Sequence, residues 1–504
     1  MKRLAAICAL AAATWAIAAP AGGQEPDPHA AKVLAQAKRA ASQLPAVQAP
    51  GELTPVLIRL SQALPRLEGA DRRIANSILA RPDDGRHDRY GDGFTAPEAD
   101  ASPACNDNFC VHWVHRSKDA PKLRDSNGTT DGDGVPDYVE KVLATGEDSF
   151  DVENNELGWT APEGDGDRGG GAGVDRTDAY LLELDGAYFG YSSPDEGQGG
   201  DEHKQAYLVL DNDYREFAGG GLTATEALQV TFAHEYNHVL QFAYDSREDV
   251  WMFEATATWV ENEVYPSIDD YLHYVPAFAR NSRVPLTGND VQGLKIYGAA
   301  VWNHYLAGTG SPDDVRDAWA NSDSVDPPHR SVAAYDSVLP GGSGDHPFAA
   351  LGKKFIEFAS ATAEWRSHPG EFPDAAKQPN MKRVAELRRG KAREIRLDHL
   401  AYALLKVRPR LARHRLELRV RAPAGTLSGI DLVGRRGVAT SGNLESNPMR
   451  LADGGADSAS LAGDDYSRVT AVIVNADARL TNNGHYARDG QRYRVKLVRA
   501  GAPH

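Results

Sequence analysis

The sequence predicts an α+β protein with a mainly helical central domain, a small helical region before it and an all-β sandwich after it. Three observations carry this expectation. Apolar residues recur at spacings of three and four over 30–67 and dominate 224–264, as in helices that bury a face or more. Short apolar runs at 109–114, 179–184 and 206–210 lie between Gly/Asp/Pro-rich stretches, the punctuation of strands. Past 415 the period becomes two: Leu416, Leu418 and Val420 alternate with charged residues, as do Tyr493, Val495 and Leu497. A chain of 504 residues is long enough for two or three domains with sizeable cores.

Residues 1–21 read as a cleaved signal peptide. Lys2 and Arg3 precede an Ala-rich apolar run, and Ala16, Ala18, Ala19 and Ala21 offer small-residue cleavage positions. The run breaks at Pro20, short of a membrane span. A secreted monomer without stable membrane insertion is therefore expected. The formal net charge of −16 argues against broad nucleic-acid binding. With Cys8 gone, Cys105 and Cys110 remain, and an even pair in an exported chain reads as one disulfide.

The region 24–95 is helical in character. Patterns at 30–44 and 52–67 are separated by Pro45, Pro50 and Gly51, and a third short helix is expected at 71–80. Such a region is either a removable pro-segment or an integral subdomain, and the sequence leaves both open. The central domain is expected over 96–379. Within it, 129–140 reads TTDGDGVPDYVE, the register of a calcium loop. Asp131, Asp133, the Val135 carbonyl, Asp137 and Glu140 would be ligands for Ca²⁺, with Gly134 at the sharp turn and Thr129 in the first position. The Gly-rich loop 164–173 lacks a following Lys, which argues against phosphate binding. Asp211, Asn212 and Asp213 form a second oxygen-rich turn.

The chemistry concentrates in 231–245, TFAHEYNHVLQFAYD. Thr223 and Glu226 supply a capping box, and Leu228, Val230, Phe232, Val239, Leu240 and Phe242 mark a mostly buried helix. His234 and His238 are four apart and share a face, so both imidazoles can reach one metal ion. Glu235 sits where a carboxylate can reach a metal-associated water without binding the metal. The next helix, VWMFEATATWVENEV, carries Glu254 and Glu261 on one face. Glu254 is the favoured third ligand. Glu261, one heptad on, is the competing ligand and otherwise a hydrogen-bond partner for a ligand His.

HEYNH followed by FEATATWVE resembles the gluzincin metallopeptidases. It is most similar to secreted bacterial metalloproteases carrying HE-[FY]-x-H, a Q-F-x-Y-D continuation and E-A-T-A-T-W. Gln241 and Tyr244 stand where the metzincin pattern needs Gly and His, which excludes that class. The interval from His238 to Glu254 is shorter than in thermolysin-like enzymes. The resemblance runs from GDGVPDYVE through LDNDY to about Leu306. It implies a zincin-like catalytic domain, Zn²⁺ on His234, His238 and Glu254, Glu235 as general base, and a protein or peptide substrate. By analogy with the Tyr-bearing helix of aminopeptidase gluzincins, Tyr297 is the expected oxyanion donor and His304 a weaker alternative. Residues 313–379, with a helix at 348–363, are expected to complete this domain, and 382–393 reads as a helix end and linker. Residues 385–504 form the expected antiparallel β-sandwich. The competing expectation is a non-catalytic secreted or surface binding protein that retains a structural zinc.

Overall fold

The computed structural model describes residues 27–42, 53–84, 94, 103–121, 134–162, 164, 176–195, 202–217, 221–289, 293–322, 330–341, 347–408, 416–439, 441–451, 456–461, 466–481 and 483–499. The expected signal peptide and the expected calcium ligands Asp131 and Asp133 lie outside them. The fold is a mixed α and β one.

Three helices open the described chain: α1 (Pro28–Ser42), α2 (Thr54–Ala63) and α3 (Gly69–Ile78). Pro55 stands in the first turn of α2, where its missing N–H leaves no helical bond unmade. Next come β1 (Ala104–Cys105), β2 (Phe109–His112), α4 (Asp137–Phe150), β3 (Thr177–Leu182), β4 (Gly190–Pro194) and β5 (Ala206–Asp211). The strands form one sheet in the order β1-β2-β3-β5-β4, with β2, β3 and β5 parallel and antiparallel strands at both edges. Cys105 pairs with Cys110 across the β1–β2 hairpin, and the two form a disulfide.

Helices cover both faces of this sheet, so β3 and β5 are buried throughout and read as continuous apolar runs. Ala179, Leu181, Leu208 and Leu210 face Phe232, Tyr236 and Val239. Their alternates Tyr180, Leu182, Tyr207 and Val209 face Leu34, Leu57 and Leu60 of α1 and α2. A buried cluster fastens the end of this N-terminal layer to the sheet. Arg81 donates Nε and Nη2 to Asp195 at 2.6 and 2.7 Å and Nη1 to Asp178 at 2.5 Å, while His112 Nε2 meets Asp178 Oδ1 at 2.7 Å.

The helical centre follows: α5 (Ala224–Asp245), α6 (Val250–Val264), α7 (Val275–Arg280), α8 (Lys295–Gly298), α9 (Ala300–Thr309), α10 (Asp313–Ala320), α11 (Arg330–Val338) and α12 (Ala349–Thr362). The capping box at Thr223 and Glu226 forms as expected. A link of 246–249 turns the chain so that α6 packs on α5, and α8 and α9 pack on α6. The stretch 296–302, which carries Tyr297, is divided between α8 and α9 at Ala299.

The remainder is β: β6 (Ala385–Leu387), β7 (Ala392–Leu397), β8 (Ala401–Val407), β9 (Leu416–Arg421), β10 (Ser428–Arg435), β11 (Leu444–Glu445), β12 (Met449–Arg450), β13 (Ala456–Leu461), β14 (Arg468–Asn475) and β15 (Gln491–Arg499). They form two sheets, β11-β10-β14-β8-β6 and β13-β9-β15-β7, enclosing a core of Leu405, Ile473, Leu418 and Val495. Two expectations are corrected. The stretch 382–393, expected as helix end and linker, holds β6 and the start of β7, because its backbone pairs with β8 and β15 while most of its charged side chains stay at the surface. The sheets are also not wholly antiparallel, since β6 runs parallel to β8. The first sheet's outer face packs on α12, so Tyr402, Leu404, Val472 and Val474 join the core of the helical centre. No helix among the described residues is long and apolar enough to cross a membrane.

Candidate metal centre

Helix α5 is buried over most of its circumference, and His234 and His238 are 4 % and 0 % exposed. Glu254, one turn into α6, is fully buried opposite them. Its Oε2 lies 3.4 Å from His234 Nε2 and its Oε1 lies 3.6 Å from His238 Nε2. These separations are long for charge-assisted hydrogen bonds, which run about 2.7–2.9 Å. They match ligands around one ion: donors about 2.0–2.2 Å from a tetrahedral zinc stand roughly 3.3–3.6 Å apart. One donor atom from each of the three residues lies within 4.8 Å of the others.

Protonation supports the same fit. His234 Nδ1 faces Glu261 Oε1 at 2.6 Å and His238 Nδ1 faces Gln241 Oε1 at 2.7 Å. Both partners are acceptors, so each ring places a proton on Nδ1, which leaves Nε2, turned toward Glu254, as the ring atom that can bind an ion. His238 Nε2 and both Glu254 oxygens are buried and make no hydrogen bond among the described residues, an arrangement costing about 1–3 kcal/mol per atom unless an ion engages them. Burial pushes the Glu254 carboxyl up, but His238 and His234 outweigh it and hold the group below the usual carboxylate range.

Glu261 is placed differently. Its oxygen contacts the Nδ1 side of His234, away from the Nε2 that faces Glu254, so it stands outside the candidate donor set, where it can orient the ring. Burial pushes its carboxyl up to about 7, against the pull of His234.

Glu235, 2 % exposed, points to the sheet edge. Its Oε2 accepts from Thr54 Oγ1 at 3.1 Å and lies 2.9 Å from Ser192 Oγ, whose one hydrogen is shared with the Glu235 main-chain carbonyl at 2.8 Å. Ser192 belongs to edge strand β4, and its N–H donates to Thr54 Oγ1 at 2.9 Å. Helix α2 thus lies along β4 and reaches the centre. Arg59 on the same helix is within electrostatic reach of Glu254 and Tyr297, and burial outweighs their pull to lower its pKa. Gly190 admits the close approach of β4 to α5, since a Cβ there would meet Thr231 Cγ2 at 2.8 Å. A cavity of about 20 Å³ bordered by Phe189, Thr231, His234, Glu235, Glu261 and Asp270 adjoins the site.

Tyr297 sits on α8, 2 % exposed, its ring 5.2 Å from that of Tyr274. His304 packs against Tyr271 on α9, and burial pushes its pKa down to about 3. Of the expected calcium ligands, Val135 precedes α4, and Asp137 and Glu140 occupy its first turn, where carboxylates suit the helix dipole. Gly134 adopts the left-handed conformation the turn requires. Asp211 accepts the N–H groups of Leu184, Asp213 and Tyr214 and so builds a turn.

Sequence reasoning missed Thr54, Ser192 and Glu153, which meet α5 only through the fold. It named Gln241 only as a departure from the metzincin pattern, although Gln241 lies within one helical turn of His238. A scan against protein-family models finds no match, and a search of curated proteins finds none either.

Proposed function

We propose that the chain is a secreted zinc-dependent metallopeptidase of the gluzincin kind, with a zincin-like catalytic domain. The observation that carries this reading is the pairing of a His234–His238–Glu254 donor set with a carboxylate, Glu235, that the described residues anchor through Oε2. When bound, zinc supplies Lewis acidity, which lowers the pKa of an attacking water toward ~7 and polarises the scissile carbonyl. Glu261 keeps the His234 ring in its ligand tautomer. Ser192 and Thr54 hold Glu235 Oε2, so Oε1 is left to take the proton of the water and pass it to the leaving amide nitrogen. Tyr297 is assigned the hydroxyl that stabilises the tetrahedral oxyanion. Calcium at 129–140 remains part of the proposal, with Val135, Asp137 and Glu140 as its described ligands.

One observation favours the second reading, a binding protein with a structural zinc: the ligands are 0–4 % exposed and the adjoining cavity holds about 20 Å³. Turnover of casein or gelatin by the purified, zinc-loaded protein separates the two. Chelator-sensitive cleavage that Glu235→Gln abolishes with zinc retained is the expected result. Zinc bound without cleavage under any condition establishes the binding protein.

A further inference from the structure

Asn237 stands inside the metal motif and Gln241 one turn beyond it, and neither is needed by the mechanism above. Both are fully buried. Gln241 Nε2 donates to the Phe253 carbonyl at 3.1 Å and to Asn237 Oδ1 at 2.6 Å. The Phe253 carbonyl can only accept, so this end of Gln241 must be its NH₂, and its oxygen must be the atom facing His238 Nδ1. Asn237 then has its oxygen engaged and donates Nδ2 to Glu153 Oε2 at 3.1 Å. Glu153, 0 % exposed, lies in a π-helical turn, Asp151–Glu156, that continues α4. Every bond from His238 to Glu153 therefore runs in one direction, fixed by a single main-chain carbonyl.

We propose that Gln241, Asn237 and Glu153 form a relay of positioning residues that locks His238 in its metal-binding tautomer and strengthens its hold on zinc. The inference rests on the metal reading of His234, His238 and Glu254, and not on peptidase activity. It also explains the uneven support of the two rings. His234 leans directly on a carboxylate, whereas His238 reaches one only through two amides. Outer partners of metal-bound histidines typically control about 10–100-fold in affinity.

The test measures zinc Kd by competition with a chromophoric chelator on the full-length protein, alongside the visible spectrum of the cobalt-loaded form. Gln241→Met is expected to weaken zinc about 10–100-fold and shift the cobalt bands. Glu153→Leu, which touches no ligand, is expected to weaken it about 3–10-fold, and Glu153→Gln, which keeps an acceptor oxygen, to stay near wild type. Once Gln241 is Met, adding Glu153→Leu should change nothing more, because the connection is already cut. If Gln241→Met does not fold, Asn237→Leu takes its place in the same cycle. A Glu153→Leu variant with wild-type zinc Kd overturns the relay, as does full additivity of the double variant. A zinc-loaded protein that cleaves nothing refutes the peptidase reading while the affinity series still decides the relay. A wild-type chain that takes up no zinc overturns the metal reading and the relay together.

Discussion

Glu254 and Glu261 both reach the histidine pair from α6, and their removal should affect zinc very differently. Glu254 faces Nε2 of both rings at 3.4 and 3.6 Å, whereas Glu261 contacts only Nδ1 of His234 at 2.6 Å. Structural zinc sites bind with about 10–16 kcal/mol shared among four ligands, so losing one ligand forfeits roughly 2.5–4 kcal/mol, a factor of ~10²–10³. Loss of an outer partner removes about 10–100-fold, or roughly 1.4–2.8 kcal/mol. Glu254→Ala should therefore weaken zinc more than Glu261→Ala by about tenfold. Equilibrium competition against a chelator at pH 7, with zinc content of the dialysed proteins as a second readout, measures both losses. If Glu261→Ala loses more zinc than Glu254→Ala, the ligand assignment made from these distances is wrong.

Thr54→Val removes one of two hydroxyls on Glu235 Oε2, a hydrogen bond to a charged group. It should lower kcat about 10-fold with KM and zinc content unchanged, while Thr54→Ser restores the rate; a rise in turnover would mean that α2 obstructs the centre instead of serving it. Arg81→Met removes the guanidinium that the buried carboxylates of Asp178 and Asp195 share and should destabilise the protein by about 3–5 kcal/mol in urea unfolding. A loss under about 1 kcal/mol would show that this contact does not secure the N-terminal layer. Burial pushes Lys295 down to about 7, and its Nζ donates to the Val284 and Pro285 carbonyls. A cation with a folded pKa below its unfolded one sheds a proton on folding, so its penalty is full below about pH 7 and relieved toward ~10.5. Stability should rise across that window by at most roughly 5 kcal/mol, less whatever the two carbonyls offset, and Lys295→Met should flatten the rise. An equal slope in both proteins contradicts the buried-cation argument.

Local chemistry made α5 and α6 legible. The capping box starts α5, and long apolar stretches without Gly or Pro carry both helices. In the C-terminal part, β9 and β15 were readable because one face is wet and the residues alternate. Strand β14 reads as a continuous run, since α12 covers the face that the second sheet does not. Strand β4 escaped notice because Gly190, Ser192, Ser193 and Pro194 carry little strand propensity. Its role depends on a Gly that fits against Thr231 and a Ser that reaches Glu235. Thr54 is 181 positions from Glu235, and no local pattern links residues so far apart.

The buried polar set at this centre is difficult to explain by stability. Helices α5 and α6 are enclosed nearly all round, and apolar side chains of like volume at Glu153 and Glu254 would remove two carboxylates from a dry interior. Such replacements of buried charge are often neutral or stabilising by about 1–4 kcal/mol. The metal-free chain is therefore held below the stability its packing could reach, and burial drives the Glu153 carboxyl well above its ordinary range. A ligand that binds only the folded form reverses this deficit by mass action, worth about 4 kcal/mol at a thousand times its Kd. On the proposed reading that ligand is zinc, so its addition should raise the unfolding midpoint, and His238→Ala should abolish that rise. The polar interior is then the means by which folding and metal capture are coupled, with Glu153 and Glu261 supporting opposite rings of one donor set.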